Sequence, residues 1–332
     1  MPRMPLAIAV DVGGTSAKLA LVTARARALA STMIPTGRQT RPRAFLHNLV
    51  AALGPLRAAA QDHGGRVVGM GIGVPGVVDP SRGVVRYLVN MPRWRQVPLQ
   101  RWAERATGLP TIVDNDVKVM AWGEGLWGAG RGARSVFCMM LGTGVGGGIL
   151  LDGRVHHGWS MSAGEIGHIP LAANGPACPC GGRGCLEQYV GTRAILALAR
   201  RMLATGRPSL LRRLVGGDLR RITPSLIDQA AHRGDAVARA VWREVGERIG
   251  LALTTVANLL NPERIVIGGG IAKAGPLLLP TIRATVRARA MRGPAAVRIV
   301  PARWGAEAGV IGAAALVLNH HGILSRHPGA HR

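Results

Sequence analysis

A group of thiols and one imidazole indicates a metal site in the second half of the chain. Three cysteines lie in the segment CPCGGRGC, and one histidine precedes the first of them by ten positions. Three thiolates and an imidazole form a closed tetrahedral set for Zn²⁺ that leaves no position for water, so we predict a structural zinc ion. The alternative of reduced, buried thiols is less consistent with a loop that has little apolar sequence. The predicted ligands are His168, Cys178, Cys180 and Cys185, with His156 and His157 as possible substitutes for the histidine.

A second reactive group is the triplet Asp114-Asn115-Asp116, which follows the apolar run TIV. Asp and Asn are common N-cap residues, so the triplet could simply begin the next helix. Two carboxylates and an amide at the end of a strand are also suited to bind sugar hydroxyls and to accept a proton from one of them. The triplet is therefore a candidate acid–base site.

Three glycine corners follow predicted strands, in the segments DVGGT (11–15), GTGVGGG (142–148) and GGG (268–270). Glycine allows close backbone approach, and the N–H groups of such corners can bind phosphate oxygens. The first corner also carries Asp11, whose carboxylate is suited to hold Mg²⁺ through water. Together the corners predict a nucleotide-phosphate site.

The standard phosphate-binding fingerprints do not explain these corners. No G-x-x-x-x-G-K-[ST] segment occurs, which excludes a P-loop. G-x-G-x-x-G occurs from Gly71 and from Gly142, but the first copy contains Pro75 and the second runs into a strand rather than a helix. We therefore do not predict a dinucleotide-binding fold.

The elements around these residues indicate two related α/β halves. Residues 6–22 and 135–151 both have the pattern strand, glycine turn, strand, as expected for a duplicated unit. A buried strand is predicted within 66–79, mostly helical structure over 192–260, a strand before Gly268, and an alanine-rich helix from about 305. We predict a small lobe of residues 1–115 plus the C-terminal helix 305–325, and a large lobe of residues 116–304 that contains the zinc loop 168–187.

Composition excludes several classes of protein. The chain has 332 residues of which 48% are hydrophobic, so it is long enough to fold around a substantial core. The net charge of +25 comes almost entirely from dispersed arginines, and only 3% of residues are aromatic, so we expect no nucleic-acid binding. No apolar run is long enough for a membrane helix and no signal peptide is evident, so we expect a cytoplasmic protein without a membrane partner.

These motifs resemble the ROK family of bacterial sugar kinases and repressors, most closely its zinc-containing glucokinases. The resemblance covers essentially the whole chain and includes DVGGTSAKLALV, GIGVPGVVD, VDNDVKVMAWGEGLWGAGRG, LGTGVGGGILLDG, AGEIGH and CPCGGRGCLE in family order. It implies the actin-like ATPase fold, built from two ribonuclease-H-like lobes with a cleft between them.

The resemblance also implies a role for each matching residue. Asp116 becomes the general base that takes the proton of the sugar 6-hydroxyl as this attacks the γ-phosphorus of ATP. The residues implied to bind the sugar are Pro75, Gly76, Asn90, Asn115, Glu165, His168 and Glu187. Those implied to bind Mg·ATP are Asp11, Gly13, Gly14, Thr15, Lys18, Gly142, Thr143, Gly144, Gly268, Gly269 and Gly270.

One position departs from the family pattern, and several activities stay open. Lys118 stands where the family usually has Asn, which is expected to add positive charge beside the phosphoryl path. The predicted reaction is phosphorylation of glucose by ATP; phosphorylation of N-acetylmannosamine, N-acetylglucosamine or another hexose is the near alternative. Polyphosphate as donor and a sugar-responsive repressor are remote alternatives. We expect a homodimer or homotetramer.

Overall fold

The computed structural model describes residues 3–88 and 91–324, which form two compact units. Within the described residues, the first unit contains the chain up to Ser135, the segment Gly148–Ala163 and the chain from Arg303 onward. The second unit contains Val136–Gly147 and Gly164–Ala302. Each unit is an α/β structure built around one principal sheet.

The secondary structure is numbered in chain order. The strands are β1 Met4–Val12, β2 Ser16–Thr23, β3 Ala28–Pro35, β4 Gly65–Val74, β5 Val77–Asp79, β6 Val84–Tyr87, β7 Arg95–Val97, β8 Thr111–Asn115, β9 Ser135–Leu141, β10 Val145–Leu151, β11 Arg154–Val155, β12 Arg264–Gly268 and β13 Arg298–Pro301. The helices are α1 Pro42–Asp62, α2 Leu99–Thr107, α3 Asp116–Trp127, α4 Glu187–Val190, α5 Thr192–Ala204, α6 Leu210–Leu214, α7 Pro224–His232, α8 Ala236–Leu260, α9 Gly275–Arg289 and α10 Ala308–His320.

The first unit is organised by a five-stranded sheet in the order β3-β2-β1-β4-β8. Strand β1 is antiparallel to β2 and parallel to β4, and β4 is parallel to β8. Alternate residues of β1 point to opposite faces of the sheet. Leu6 and Ile8 pack in the core that contains Phe45 of α1. Ala7 packs in the core that contains Ile311 of α10. Both faces are buried, which explains why β1 is a continuous apolar run.

Small residues allow α10 to approach its neighbours very closely. A Cβ atom at Gly71 of β4 would collide with the Ala313 carbonyl group of α10. A Cβ at Gly312 would collide with the Val119 carbonyl group of α3, and one at Gly123 of α3 would collide with the Gly312 backbone. Helices α3 and α10 are therefore in backbone-to-backbone contact.

The second unit contains most of a sheet ordered β11-β10-β9-β12-β13. Strand β12 is parallel to both β9 and β13. The chain passes from the second unit to the first within β10, after Gly147. Helices α4 to α9 all belong to this unit, and α8 packs against α9, where Gly246 and Gly250 face Thr281 and Thr285.

Both expected strand–glycine–strand hairpins are present, as β1-β2 and β9-β10. The expected strand within 66–79 is divided into β4 and β5 at Pro75-Gly76. The compact units also have different bounds from the expected lobes, because residues 116–135 and 148–163 group with the first unit. The packing of α3 on α10 accounts for the first of these differences.

Over the described residues, no helix has both the length and the apolar character needed to cross a membrane.

The α3–α10 contact predicts a large effect from one methyl group. Gly312→Ala places a Cβ against the Val119 carbonyl, so we expect the free energy of unfolding to fall by about 1 to 3 kcal/mol. Gly37→Ala is the matched control, because no atom lies within 4 Å of the added Cβ. Urea unfolding of both variants measures the difference, and equal stabilities would contradict this account of the packing.

Candidate functional site

The first turn of α3 holds the predicted acid–base residues in a network of short hydrogen bonds. Asn115 is the N-cap, and its side-chain Oδ1 accepts the Lys118 backbone N–H at 3.0 Å. Its Nδ2 donates to the Gly76 carbonyl at 2.9 Å and to Asp116 Oδ1 at 3.1 Å. The Val117 backbone N–H also donates to Asp116 Oδ1, at 2.9 Å. The capping interpretation is therefore correct for Asn115, and the same contacts orient the Asp116 carboxylate.

Asp114, the first acid of the triplet, is only 3% exposed and pairs with a residue from a distant loop. Its Oδ2 lies 2.8 Å from His157 Nε2, and its Oδ1 accepts the Asn115 backbone N–H at 2.7 Å. The sequence suggested His157 only as a substitute metal ligand. The structure instead assigns it to Asp114, within the first unit.

Lys118, which stands where the family usually has Asn, is buried in the structure. Its side chain is buried, with the residue 3% exposed, and its Nζ donates to the Met161 carbonyl at 2.5 Å. Burial of this ammonium group was not expected from the sequence. Lys118 and Asp114 both contact the same loop, at Met161 and His157 respectively.

The first glycine corner begins with Asp11, whose carboxylate is largely buried beside the positive charge of Lys18. Burial raises the pKa of Asp11 to about 6, and the positive charge of Lys18 partly opposes this shift. Lys18 is the cross-strand partner of Asp11 in β2 and lies 3.7 Å from Glu307 Oε1. Gly309, in the first turn of α10, lies so close to Asp11 that a Cβ there would collide with the carboxylate.

The rest of this corner is a tight turn. The Gly13 N–H donates to the Ser16 carbonyl at 2.9 Å, and the Thr36 hydroxyl donates to the Gly13 carbonyl at 2.8 Å. The Thr36 backbone N–H also donates to the Thr15 carbonyl, at 3.0 Å. Thr36 of the neighbouring chain segment therefore stabilises the turn in which Gly14 also lies. Sequence reasoning missed Thr36, Glu307 and Gly309, because only the folded register places them here.

In the second unit, the second glycine corner contacts Glu187, one of the residues predicted to bind the sugar. Glu187 Oε2 accepts the Val145 backbone N–H at 2.8 Å, and a Cβ at Gly144 would lie 2.6 Å from the same oxygen. The Thr192 hydroxyl donates to the Gly142 carbonyl at 2.9 Å. Glu187 therefore connects the start of α4 to the corner that contains Thr143.

The third corner, Gly268–Gly270, lies at the carboxyl end of β12. Gly269 has a φ of +89° and packs against the Leu141 backbone at the end of β9. A side chain is excluded here both by the left-handed backbone and by the close approach. The second and third corners therefore meet at the ends of adjacent parallel strands.

The cysteine loop brings four potential ligands together. The ligand atoms of the histidine and the three cysteines all lie within 4.8 Å of one another. His168 Nδ1 is 3.7 Å from Cys178 Sγ, and Cys180 Sγ is 3.7 Å from Cys185 Sγ. Ligand atoms of a tetrahedral zinc site are separated by about 3.5 to 3.8 Å, given Zn–S near 2.3 Å and Zn–N near 2.0 Å. The residues present therefore fit a four-coordinate metal ion.

The pKa values of two thiols in the loop are shifted in opposite directions. The Gly182 backbone N–H, followed by the Cys178 side chain, lowers the pKa of Cys180 to about 7. Burial, followed by the hydrogen bond with Cys180, raises the pKa of Cys185 to about 12. A bound cation would favour the thiolate form of such a cysteine.

The predicted site residues thus form several local groups. In the first unit, Asn115, Asp116 and Gly76 with its neighbour Pro75 are close together. In the second unit, Glu165 contributes its carbonyl to the short turn that ends in His168, at 3.0 Å from the His168 N–H. Asn90 lies outside the described residues.

Comparison with known proteins matches the chain along nearly its whole length. The model of the ROK family matches residues 7–320. Glucokinase of Halalkalibacterium halodurans is 38% identical over 322 residues, which covers 96% of this chain and 97% of that protein.

Solved structures and a repressor give further matches. The structure of a ROK family glucokinase from Streptomyces griseus, in complex with glucose and AMPPNP, has a TM-score of 0.80 and 35% sequence identity, covering 94% of this chain and 98% of that one. The DNA-binding transcriptional repressor Mlc of Escherichia coli is 34% identical over 226 residues, which covers 68% of this chain and 54% of that protein. The two glucokinases therefore match over nearly the whole of both chains, whereas the repressor matches over about half of its own length.

The raised pKa of Asp11 predicts a pH-dependent stability cost. Because the folded pKa of about 6 exceeds the unfolded value near 3.8, the folded state binds the proton more tightly, and stability falls as pH rises between these values. Asp11→Asn removes this cost. We expect the variant to be more stable than the wild type by about 1 to 3 kcal/mol at pH 7 and similar to it at pH 3.5. Denaturant unfolding at both pH values tests this, and equal stabilities at pH 7 would contradict it.

Proposed function

This chain belongs to the ROK family, and from that premise we propose that it is an ATP-dependent glucokinase, which transfers the γ-phosphoryl group of Mg·ATP to the 6-hydroxyl of glucose. One observation carries the proposal. The chain that matches a glucokinase over nearly its full length also presents Asp116 in the first turn of α3, with its carboxylate oriented by Asn115 and Val117.

Asp116 is the proposed general base. Its Oδ1 already accepts two hydrogen bonds, which fix the plane of the carboxylate. A carboxylate held in this way can accept the proton of the 6-hydroxyl as the sugar oxygen attacks the γ-phosphorus. The transition state of phosphoryl transfer is loose, so the protein contributes mainly orientation and charge neutralisation, and a strong base is not required.

The glycine corners are proposed to bind the donor. Backbone N–H groups at Gly13–Thr15 and Gly142–Gly144 are suited to phosphate oxygens, and Gly268–Gly270 is proposed to contact the adenosine side. Asp11, with Lys18 beside it, is the proposed residue for Mg²⁺, which neutralises charge on the β- and γ-phosphates when bound. The cost of ionising Asp11 is consistent with a carboxylate whose partner is a cation.

Zinc is the proposed ion of the cysteine loop, held by His168, Cys178, Cys180 and Cys185. Four protein ligands leave no open position, so its role is structural. Glu187 begins α4 only two residues after Cys185, so an ion at the loop would fix the start of that helix. Glu187, Glu165 and His168 are the proposed partners of the sugar hydroxyls in the second unit.

Other hexoses share the hydroxyls that carboxylates and imidazole bind, so N-acetylmannosamine and N-acetylglucosamine are the second candidate substrates. We propose a homodimer or homotetramer that acts in the cytoplasm, where ATP is available. Phosphorylation rates with Mg·ATP across glucose, mannose, fructose, N-acetylglucosamine and N-acetylmannosamine test the substrate. The same assay with polyphosphate in place of ATP tests the donor.

Removal of the proposed base should affect turnover much more than nucleotide binding. We expect Asp116→Ala to lower kcat with glucose by about 10² to 10⁴-fold, because the proton then has no positioned acceptor. ATP affinity should change little. Asp152→Ala is the matched control, since that carboxylate is exposed and pairs with Arg134 on the surface. A variant at 116 that retained most of its turnover would exclude this role for Asp116.

Loss of one thiolate should release the ion. We expect Cys180→Ser to lose bound zinc and to raise the KM for glucose, because Glu187 is no longer held by the loop. Cys138→Ala, a cysteine of β9 outside the cluster, should keep one zinc ion per chain. Metal analysis of the purified variants measures both, and full zinc content in Cys180→Ser would refute the ligand assignment.

A further inference from the structure

The loop of residues 156–163, here called the Trp159 loop, presents an unusually exposed aromatic side chain. Trp159 is 99% exposed, the largest value among the exposed large apolar residues of the described chain. The loop is nevertheless closed by its own backbone, since the Ala163 N–H donates to the His157 carbonyl at 2.9 Å and the Met161 N–H donates to the Gly158 carbonyl at 3.3 Å. The indole therefore stands on a defined turn.

Two polar contacts fasten this loop to the segment that carries the proposed base. His157 Nε2 lies 2.8 Å from Asp114 Oδ2, and Lys118 Nζ donates to the Met161 carbonyl at 2.5 Å. Asp114 precedes Asp116 by two residues and Lys118 follows it by two. The two contacts therefore involve the residues two positions before and two positions after Asp116 in the sequence.

Chain geometry limits where the indole can be. Trp159 is two residues from each fastened position, so its Cα lies within about 7 Å of the Cα atoms of His157 and Met161. A tryptophan side chain extends several ångströms beyond its Cα. Trp159 is therefore carried by a short loop that contacts the 114–118 segment at two points.

The energetics of the fastening indicate that the position of the loop matters. Burial of the Lys118 ammonium is unfavourable unless it is hydrogen-bonded, and the Met161 carbonyl of the loop accepts one of its hydrogen bonds. Met161 adopts a φ of +65°, which costs a non-glycine residue on the order of 1 kcal/mol. The loop keeps this conformation despite both costs, although the conformation leaves Trp159 exposed to solvent.

We propose that Trp159 is a specificity-determining contact for the hexose acceptor, whose apolar C–H face packs on the exposed indole, and that Lys118 and His157 position it. Aromatic rings with a fixed orientation are typical components of small-molecule sites. The inference rests on the proposed function, because it concerns the acceptor of the Asp116 reaction. It adds a contact that involves no hydroxyl and therefore depends on the shape of the pyranose.

Calorimetric titration of sugar in the absence of ATP tests the contact directly. The ligand is glucose, or the hexose that the substrate panel identifies if this differs. We expect Trp159→Ala to weaken binding by about threefold to tenfold, as for loss of one aromatic contact. Leu259→Ala, which removes another exposed apolar side chain on α8 of the second unit, should leave the Kd within about twofold. Trp159 has no buried contacts to lose, so the variant should fold normally.

The outcomes separate this inference from the proposed function. Failure of the wild type to phosphorylate any hexose of the panel would reject the kinase proposal itself. Binding by the wild type with an unchanged Kd for Trp159→Ala would overturn the sugar contact. An unchanged Kd together with a change in sedimentation would identify Trp159 as a contact between copies of the chain, and would equally overturn it.

A double-mutant cycle tests whether Lys118 acts through the indole. Lys118→Met keeps the length of the side chain but cannot donate to the Met161 carbonyl, so the loop should be released and sugar binding weakened. In the Trp159→Ala background, the same substitution should have little further effect on the Kd. Independent, additive losses would show that Lys118 does not position Trp159.

Discussion

Close backbone contact between α3 and α10 is the constraint on which the first unit depends. The helices meet at Gly123 and Gly312, where neither has room for a side chain. Next to this contact, the fully buried carboxylate of Glu124 accepts the backbone N–H groups of Ala129, Arg303 and Trp304 at 2.8 to 3.1 Å. Three backbone donors satisfy a charge that would otherwise be costly to bury. Glu124 thereby fixes α3 to the chain that enters α10.

This contact relates the two carboxylates of the unit that are proposed to take part in the reaction, Asp116 and Asp11. Asp116 lies at the start of α3, and Asp11 lies against Gly309 at the start of α10. Asp116 belongs to α3, whereas Asp11 belongs to β1 and has its carboxylate against α10, so a shift of α3 along α10 would change the position of Asp116 relative to Asp11. A rigid, small-residue interface limits such shifts, because interiors are close-packed and poorly compressible. Precise positioning is what a phosphoryl transfer with a loose transition state requires.

The sequence predicted the features that depend on local patterns. The two hairpins and the α/β class were predicted from glycine corners and apolar runs, and the family was predicted from the resemblance of motifs along the whole chain; all three are confirmed. Cysteine spacing predicted a four-ligand group, and the loop does gather those atoms. The contacts of His157 with Asp114 and of Lys118 with Met161 were not predicted, because they join residues 43 positions apart and depend on how a loop returns to the sheet. The burial of Lys118 was not predicted for the same reason.

In the second unit, the cysteine loop has few buried apolar residues, and its cluster of four potential metal ligands can order it instead. Residues 172–184 are mostly exposed, so apolar burial contributes little to their order. Four converging ligand atoms can supply that order through one ion, whose binding free energy then acts as folding free energy. Cys185 leads directly into α4, and Glu187 at the start of that helix accepts the Val145 N–H. Glu187 therefore connects the end of the cysteine loop to the glycine corner at 142–144.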